Sequence, residues 1–366
     1  MNRYVQYAAF LSFSTAMALL AGYYVMFHVF IFLGLPAGIL LWAATAISAI
    51  LFMAGMGLSA VSDDPSFRGV NIALGVWTGF FLIMAFILMF LDIVGLFIRW
   101  PDYRMVGTGA LVIATAAALA GGVNARFVRI RKVKVPAKGL ARSVRMVQLS
   151  DLHLGPVNGL EYFEKVVERT NRQKPDIVLI TGDFIDGRLS DDMFAPINKL
   201  EAPVFFCPGN HEEYVGMEEF LEHLGRTKAW PLICGKVDVG DIELAGIDFS
   251  WRSGDFDAMV SKVAPSGKKF SVLMAHGPPA FDAARKAGFD LTLSGHTHGG
   301  QFWPFTGFGR MFVSYRAGMY ERDGKRLFVT TGTGTWGPPL RLGSSSELAV
   351  IEIGGAEEPK ENQRGV

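Results

Sequence analysis

LTLSGHTHGGQF, residues 291–302, holds an apolar run that stops at a glycine and passes into two histidines flanking one threonine. A short apolar run bounded by turn residues is the pattern of a buried strand. On extended backbone, His296 and His298 would present their side chains on the same side. Two imidazoles so placed can serve one ion or two neighbouring ions, and the glycines let the backbone turn tightly against whatever is bound. A pair of polar residues in a surface turn fits the same letters. How the other strands of the chain end decides between the two readings.

From about residue 143, apolar runs of similar length alternate with helical stretches, the pattern of a layered α/β or α+β domain. SVRMVQLS leads into Asp151 and His153, and DIVLITG into Asp183. PVFFCPG leads into Asn210 and His211, FSVLMA into His276, and LTLSG into His296 and His298. VNGLEYFEKVVERTNRQ reads as an amphipathic helix with Leu160, Phe163, Val166 and Val167 on one face. Sites in open sheets form outside the carboxyl ends of parallel strands, so these distant side chains can converge. Of seven histidines, 153, 211, 276, 296 and 298 lie just beyond expected strands, whereas His28 and His223 do not. Chance surface histidines would scatter, so this distribution favours a metal site.

SDLHLG, TGDFID, CPGNHE, AHGP and SGHTHGGQ resemble, in order and spacing, the five signature blocks of the calcineurin-like metallophosphoesterases. The resemblance covers roughly residues 143–353. With TGTGTWGPPLRLG following GHTHGGQ, it is similar to the membrane-associated bacterial branch and to the animal transmembrane protein with a metallophosphoesterase domain. It implies an α/β domain of two mixed sheets sandwiched between helices. It also implies two divalent metal ions. Asp151, His153 and His298 would bind one, Asn210, His276 and His296 the other, and Asp183 would bridge both, with Thr297 pointing away. His211 would be the catalytic acid on the leaving side. Arg341 is a candidate phosphate contact or a surface arginine without a role. Asp186, three residues after Asp183, reads as an ordinary turn aspartate or as a support behind the site, and Glu161, Glu164, Glu168, Glu212, Glu213, Glu218 and Glu219 read mostly as solvated charges.

Residues 1–125 differ in texture. Their only charged side chains are Arg3, Asp63, Asp64, Arg68, Asp92, Arg99, Asp102 and Arg104. Four apolar runs, roughly 5–30, 36–60, 70–97 and 105–124, are each long enough to cross a bilayer, for which ~20 residues suffice. They are expected to form a four-helix transmembrane domain, with Trp100 and Tyr103 at the interface. The first run lacks a strongly basic start and is too long for a cleavable signal. Asp92, an ionisable residue in the third run, is either a functional group at membrane depth or, the favoured reading, a charge that pairs with Arg99 or reaches headgroups. Residues 126–142, within ARFVRIRKVKVPAKGLARSVR, form a basic stretch without an acid. It reads as a juxtamembrane linker that keeps the following domain on the cytoplasmic side of the inner membrane and offers contacts to anionic lipids. The metallophosphoesterase domain then spans 143–355, and 356–366 has the composition of a disordered tail.

With formal net charge +1, the chain gives no reason to expect a nucleic-acid partner. Two cysteines, Cys207 and Cys234, exclude a disulfide scaffold and are expected to be small core residues on strands. Oxygen and imidazole donors without thiolate suit Mn, Fe or Zn. The resulting expectation is a membrane-anchored phosphohydrolase that cleaves phosphodiester, phosphomonoester or pyrophosphate bonds by a metal-activated hydroxide. A lipid-linked substrate is attractive because the domain is held at the bilayer. The alternative is a membrane scaffold or sensor that uses the fold only for binding. Because the motifs lie beyond residue 143, a fragment starting near Arg142 is expected to fold and bind metal alone.

Overall fold

The computed structural model describes residues 3–57, 64–100, 102–137, 139–309 and 313–354. The expected tail, 356–366, lies outside the described residues. The four apolar runs form helices α1 (Arg3–Leu33), α2 (Ile39–Gly57), α3 (Arg68–Gly95) and α4 (Tyr103–Ala125). Among the described residues, three stretches are long and apolar enough to cross a membrane: Ser12–Leu33, Arg68–Gly95 and Tyr103–Ala125. The second helix offers only the shorter apolar stretch Ile39–Gly55. Asp102 caps α4 by accepting from the backbone N–H groups of Arg104 and Met105. The outward faces carry exposed Trp42, Ile50, Phe90, Ile93 and Ile113, a surface suited to hydrocarbon rather than water.

Asp92 does not pair with Arg99. Its carboxylate accepts from the Tyr24 hydroxyl at 2.7 Å and stands 3.3 Å from His28 Nε2. The Tyr103 hydroxyl lies 2.9 Å from His28 Nδ1. An ionisable group among apolar helices needs partners, and packing of α1, α3 and α4 provides them from three segments far apart in sequence.

The rest of the chain forms two six-stranded sheets. The strands are β1 (Arg129–Val135), β2 (Val144–Leu149), β3 (Ile177–Thr181), β4 (Val204–Cys207), β5 (Ala229–Pro231) and β6 (Gly235–Val239). They continue as β7 (Ile242–Gly246), β8 (Phe270–Met274), β9 (Leu291–Ser294), β10 (Gly318–Arg322), β11 (Lys325–Val329) and β12 (Glu347–Ile353). One sheet runs β1-β12-β2-β3-β4-β5 and the other β10-β11-β9-β8-β7-β6. Both are mixed: β2 to β5 are parallel to one another, while β12 runs antiparallel to β2. Met146, Leu179, Leu244, Val272, Met274, Leu293 and Ile351 fill the space between the sheets. The amphipathic helix α5 (Leu160–Asn171) buries Phe163, Val166 and Val167 against the outer face of the first sheet.

The basic stretch is not a linker throughout. Residues 129–135 pair in parallel with β12 from Arg129↔Glu347 to Val135↔Ile353. Val133 and Val135 alternate into the core, which is what anchors the strand. Several of its charges are also neutralised. Arg142 pairs with Asp176 at 2.8 Å and Arg145 with Glu352 at 3.1 Å. Cys207 is a buried end of β4 as expected, but Cys234 is half-buried in the turn before β6.

Candidate dinuclear metal centre

Every expected ligand, and the expected acid His211, follows the carboxyl end of a strand. Asp151 and His153 follow β2, Asp183 follows β3, Asn210 and His211 follow β4, His276 follows β8, and His296 and His298 follow β9. The two sheets place these ends side by side. The loops must pass very close to one another. A Cβ on Gly182, whose φ is +77°, would meet Gly209 N and His276 Nδ1, both at 2.6 Å. Asp151, His153, Asp183, His296 and His298 themselves have φ between 46° and 70°. Backbone in this sparsely populated region costs of order 1–3 kcal/mol per residue and persists where the surroundings enforce it. The GHTH pair therefore sits on a tight turn. It is not on the extended backbone that the pattern suggested, because Thr297 is helical and a 3-10 turn follows it.

The turn sends the two histidines apart. His298 joins Asp151 and His153 in one group, and His296 joins Asp183 and His276 in another. His153 Nε2 and His298 Nε2 lie 3.0 Å apart. His296 Nδ1 and His276 Nε2 lie 3.2 Å apart. Asp183 Oδ2 stands between the groups, 3.1 Å from His276 Nε2 and 3.8 Å from His153 Nε2. Thr297 points away and donates its hydroxyl to Arg316 O.

Hydrogen bonds orient the donors. His153 Nδ1 is bonded to the Asp186 carboxylate at 2.7 Å, and His276 Nδ1 to Thr181 O at 2.8 Å. A proton on Nδ1 leaves each Nε2 lone pair aimed into the site, the usual way ligating imidazoles are oriented. Asn210 Oδ1 is buried and has no hydrogen-bond partner among the described residues, a costly arrangement unless a cation satisfies it. This converging set of carboxylate, imidazole and amide oxygen donors fits two divalent ions. His211 Nδ1 lies 2.6 Å from Asp186 and its Nε2 3.9 Å from Asp183; it belongs to neither of these two groups but forms a third cluster of converging donors with His153 and Asp186.

Burial pulls His276 and His153 down, but Asp183 beside the first and Asp186 beside the second outweigh it, holding them at about 10 and about 9. Burial raises Asp186, yet His153 and His211 bring it to about 2. Burial and the positive neighbour His276 lower His296 to about 4. Burial, His153 and Arg341 hold His298 well below its ordinary value.

Three side chains differ from the sequence reading. Asp186 is bound to both His153 and His211, so it orients a ligand and the expected acid together. Glu212 is fully buried and accepts from the backbone N–H groups of Asp183, Phe184 and Gly209. It holds the two ligand loops in register. The signal for Asp186 was its spacing of three residues after Asp183. Glu212, next to His211, carries no comparable mark. Arg341 is 1% exposed, too buried to meet substrate. Its guanidinium donates to His298 O at 2.8 Å and to Gly334 O at 2.6 Å, while its backbone N–H donates to Gly121 O of α4. It is a strut between the centre and the helices.

The site's blocks match the family model for calcineurin-like phosphoesterases over residues 144–300. A metallophosphoesterase of Campylobacter jejuni is 30% identical over 266 residues, covering 69% of this chain and 71% of that protein. One from Aquifex aeolicus is 33% identical, covering 63% of this chain and 93% of that protein. The transmembrane protein with metallophosphoesterase domain of Danio rerio is 30% identical over 67% of this chain and 62% of its own length. The last two shares differ because the Aquifex match takes in nearly that whole protein, whereas the Danio protein has more outside the match. With ligand geometry, motif order and these relatives in agreement, the chain belongs to the calcineurin-like metallophosphoesterase family.

Proposed function

We propose that the protein is a membrane-anchored phosphohydrolase working through two divalent ions. The observation that carries this reading is Asp183 Oδ2 lying between two ligand groups, with the unpartnered Asn210 Oδ1 buried beside them. Asp151, His153 and His298 would hold one ion, Asn210, His276 and His296 the second, with Asp183 shared. The donor set suits Mn, Fe or Zn. Such a pair supplies Lewis-acid polarisation of a phosphoryl oxygen and activation of water.

The chain's own residues do the rest. Glu212 and Gly182 fix the ligand loops. Water would form the new P–O bond and release a proton to solvent, the ester P–O bond opposite breaks, and His211 Nε2 gives a proton to the departing oxygen and regains one from solvent. Asp186 keeps the His211 ring turned so that Nε2 faces the site. Purified full-length protein with Mn²⁺ is expected to hydrolyse a chromogenic phosphodiester. His211→Ala is expected to retain its ions while turnover falls about 10²–10⁴-fold, the range for one positioned acid–base group. Loss of metal in that variant would make His211 a ligand instead.

In this reading the catalytic domain faces the cytoplasm. Arg126, Arg129, Arg131 and Lys132 follow α4 directly, and Arg68, at the start of α3, reaches the domain through a 3.1 Å bond from Nε to Val157 O. Positive residues at span ends favour the inner side. A reporter active only inside the cell, fused after Val366, should be active. Activity only of an exported reporter would reverse the orientation.

A further inference from the structure

His296 borders two cavities, one of mixed lining and one almost wholly apolar. One, of about 870 Å³, opens to solvent past Asp257, Asp282, Lys286 and Arg316. The other, of about 400 Å³, runs from His296 and His298 between Phe302, Trp336 and Pro338 to Phe52 of α2 and Leu82 of α3. The second is within the size range of ligand pockets, and its walls are almost wholly apolar.

Its walls are built into both halves of the molecule. Gln301 Nε2 donates to Trp336 O and Pro338 O, and its Oε1 accepts from Trp336 N–H. That fixes the 336–338 wall. Phe302 and the fully buried Leu340 pack in one cluster with Phe81 and Met84 of α3. Phe305 meets Phe86 of α3 edge-on at 5.7 Å between ring centroids.

We propose that this cleft receives the hydrocarbon chain of an amphiphilic phosphate ester, with the phosphate at the metal centre and the polar remainder in the solvent-facing cavity. The inference rests on the phosphohydrolase reading and narrows its substrate class to membrane amphiphiles. Sugar or nucleoside hydroxyls in the apolar cleft would lose their hydrogen bonds to water without replacement. A hydrocarbon chain loses nothing there. The far end of the cleft is made by helices whose other faces are exposed and apolar, so the path is continuous with the region a lipid tail occupies. Of the two cavities beside His296, only the larger offers charged partners, Asp257, Asp282, Lys286 and Arg316, to a polar remainder.

The test is a series of 4-nitrophenyl alkyl phosphodiesters, methyl to octyl, hydrolysed by detergent-solubilised full-length protein with Mn²⁺. Burying a methylene contributes about 0.8 kcal/mol, so kcat/KM is expected to rise about threefold to fourfold per carbon and to level off once the cleft is filled. Leu82→Trp and Phe52→Trp, which shorten the cleft at its far end, should bring that plateau at a shorter chain. A flat series in the wild type overturns the cleft assignment while leaving the hydrolase reading intact. A plateau unmoved in both variants also overturns it. Failure to hydrolyse any member overturns the phosphohydrolase reading itself.

Discussion

Asp183→Asn is expected to empty both ion sites and abolish turnover together. Asn can still accept at Oδ1 from the His211 backbone N–H, a bond of 3.0 Å in the native protein. The anion between His276 and His153 is gone, however, and an amide NH₂ turned toward their lone pairs would donate hydrogen bonds to them and cannot coordinate an ion, so nothing bridges the two sites. Glu212 continues to hold the loop through the Asp183 and Phe184 N–H groups, so the variant should remain folded. The loss should exceed the 10–100-fold that follows removal of a hydrogen bond supporting a ligand. Metal analysis and turnover on one preparation decide it. Two retained ions with near-normal turnover would take the bridging role from Asp183.

Removing residues 1–141 is expected to cost turnover even on a soluble ester, the reverse of what motif positions alone imply. The cut deletes β1 and leaves β12 exposed along one side. It also removes the supports of the 335–343 loop. Asn124 Nδ2 donates to Arg341 O and Ser344 O, and Gly121 O accepts from Arg341 N–H. The absence of side chains on Gly75 and Gly79 makes room for Pro339 and Leu340; a Cβ on either would stand 2.5 Å or less from them. Freed of α3, the fully buried Leu340 would lose about 1.5–3 kcal/mol of burial, and Arg341 would no longer be held against His298. A fragment starting at Arg126 keeps β1 but not the helices. It should be better folded than one starting at Arg142, yet still impaired on the soluble diester. Full soluble-ester turnover by the Arg142 fragment would reduce the helices to an anchor.

The strands and the site were legible for one reason. The expected ligands come singly or in pairs just after apolar runs, and a layered fold gathers strand ends. The division of His296 and His298 between two groups came from the resemblance, whereas the turn geometry producing it did not show in the letters. Glu212 looks like any loop acid, and Asp186 is marked only by its spacing of three residues after Asp183. Their importance lies in which N–H groups face them, and that depends on loops more than 25 residues apart in sequence for Glu212 and Asp183. β1 was hidden because RIRKVKV displays its charges, while its valines are meaningful only opposite β12, whose register partner for Arg129 is Glu347. Asp92 and His28 meet because α1 and α3 pack, which hydropathy does not encode.

Anomalous diffraction from crystals of the full-length protein grown with Mn²⁺ would show whether the centre is what its donors imply. Two anomalous peaks are expected, one ligated by Asp151, His153 and His298 and the other by Asn210, His276 and His296, with Asp183 touching both. A single peak, or none at these residues in protein that still hydrolyses phosphodiesters, would contradict a dinuclear centre.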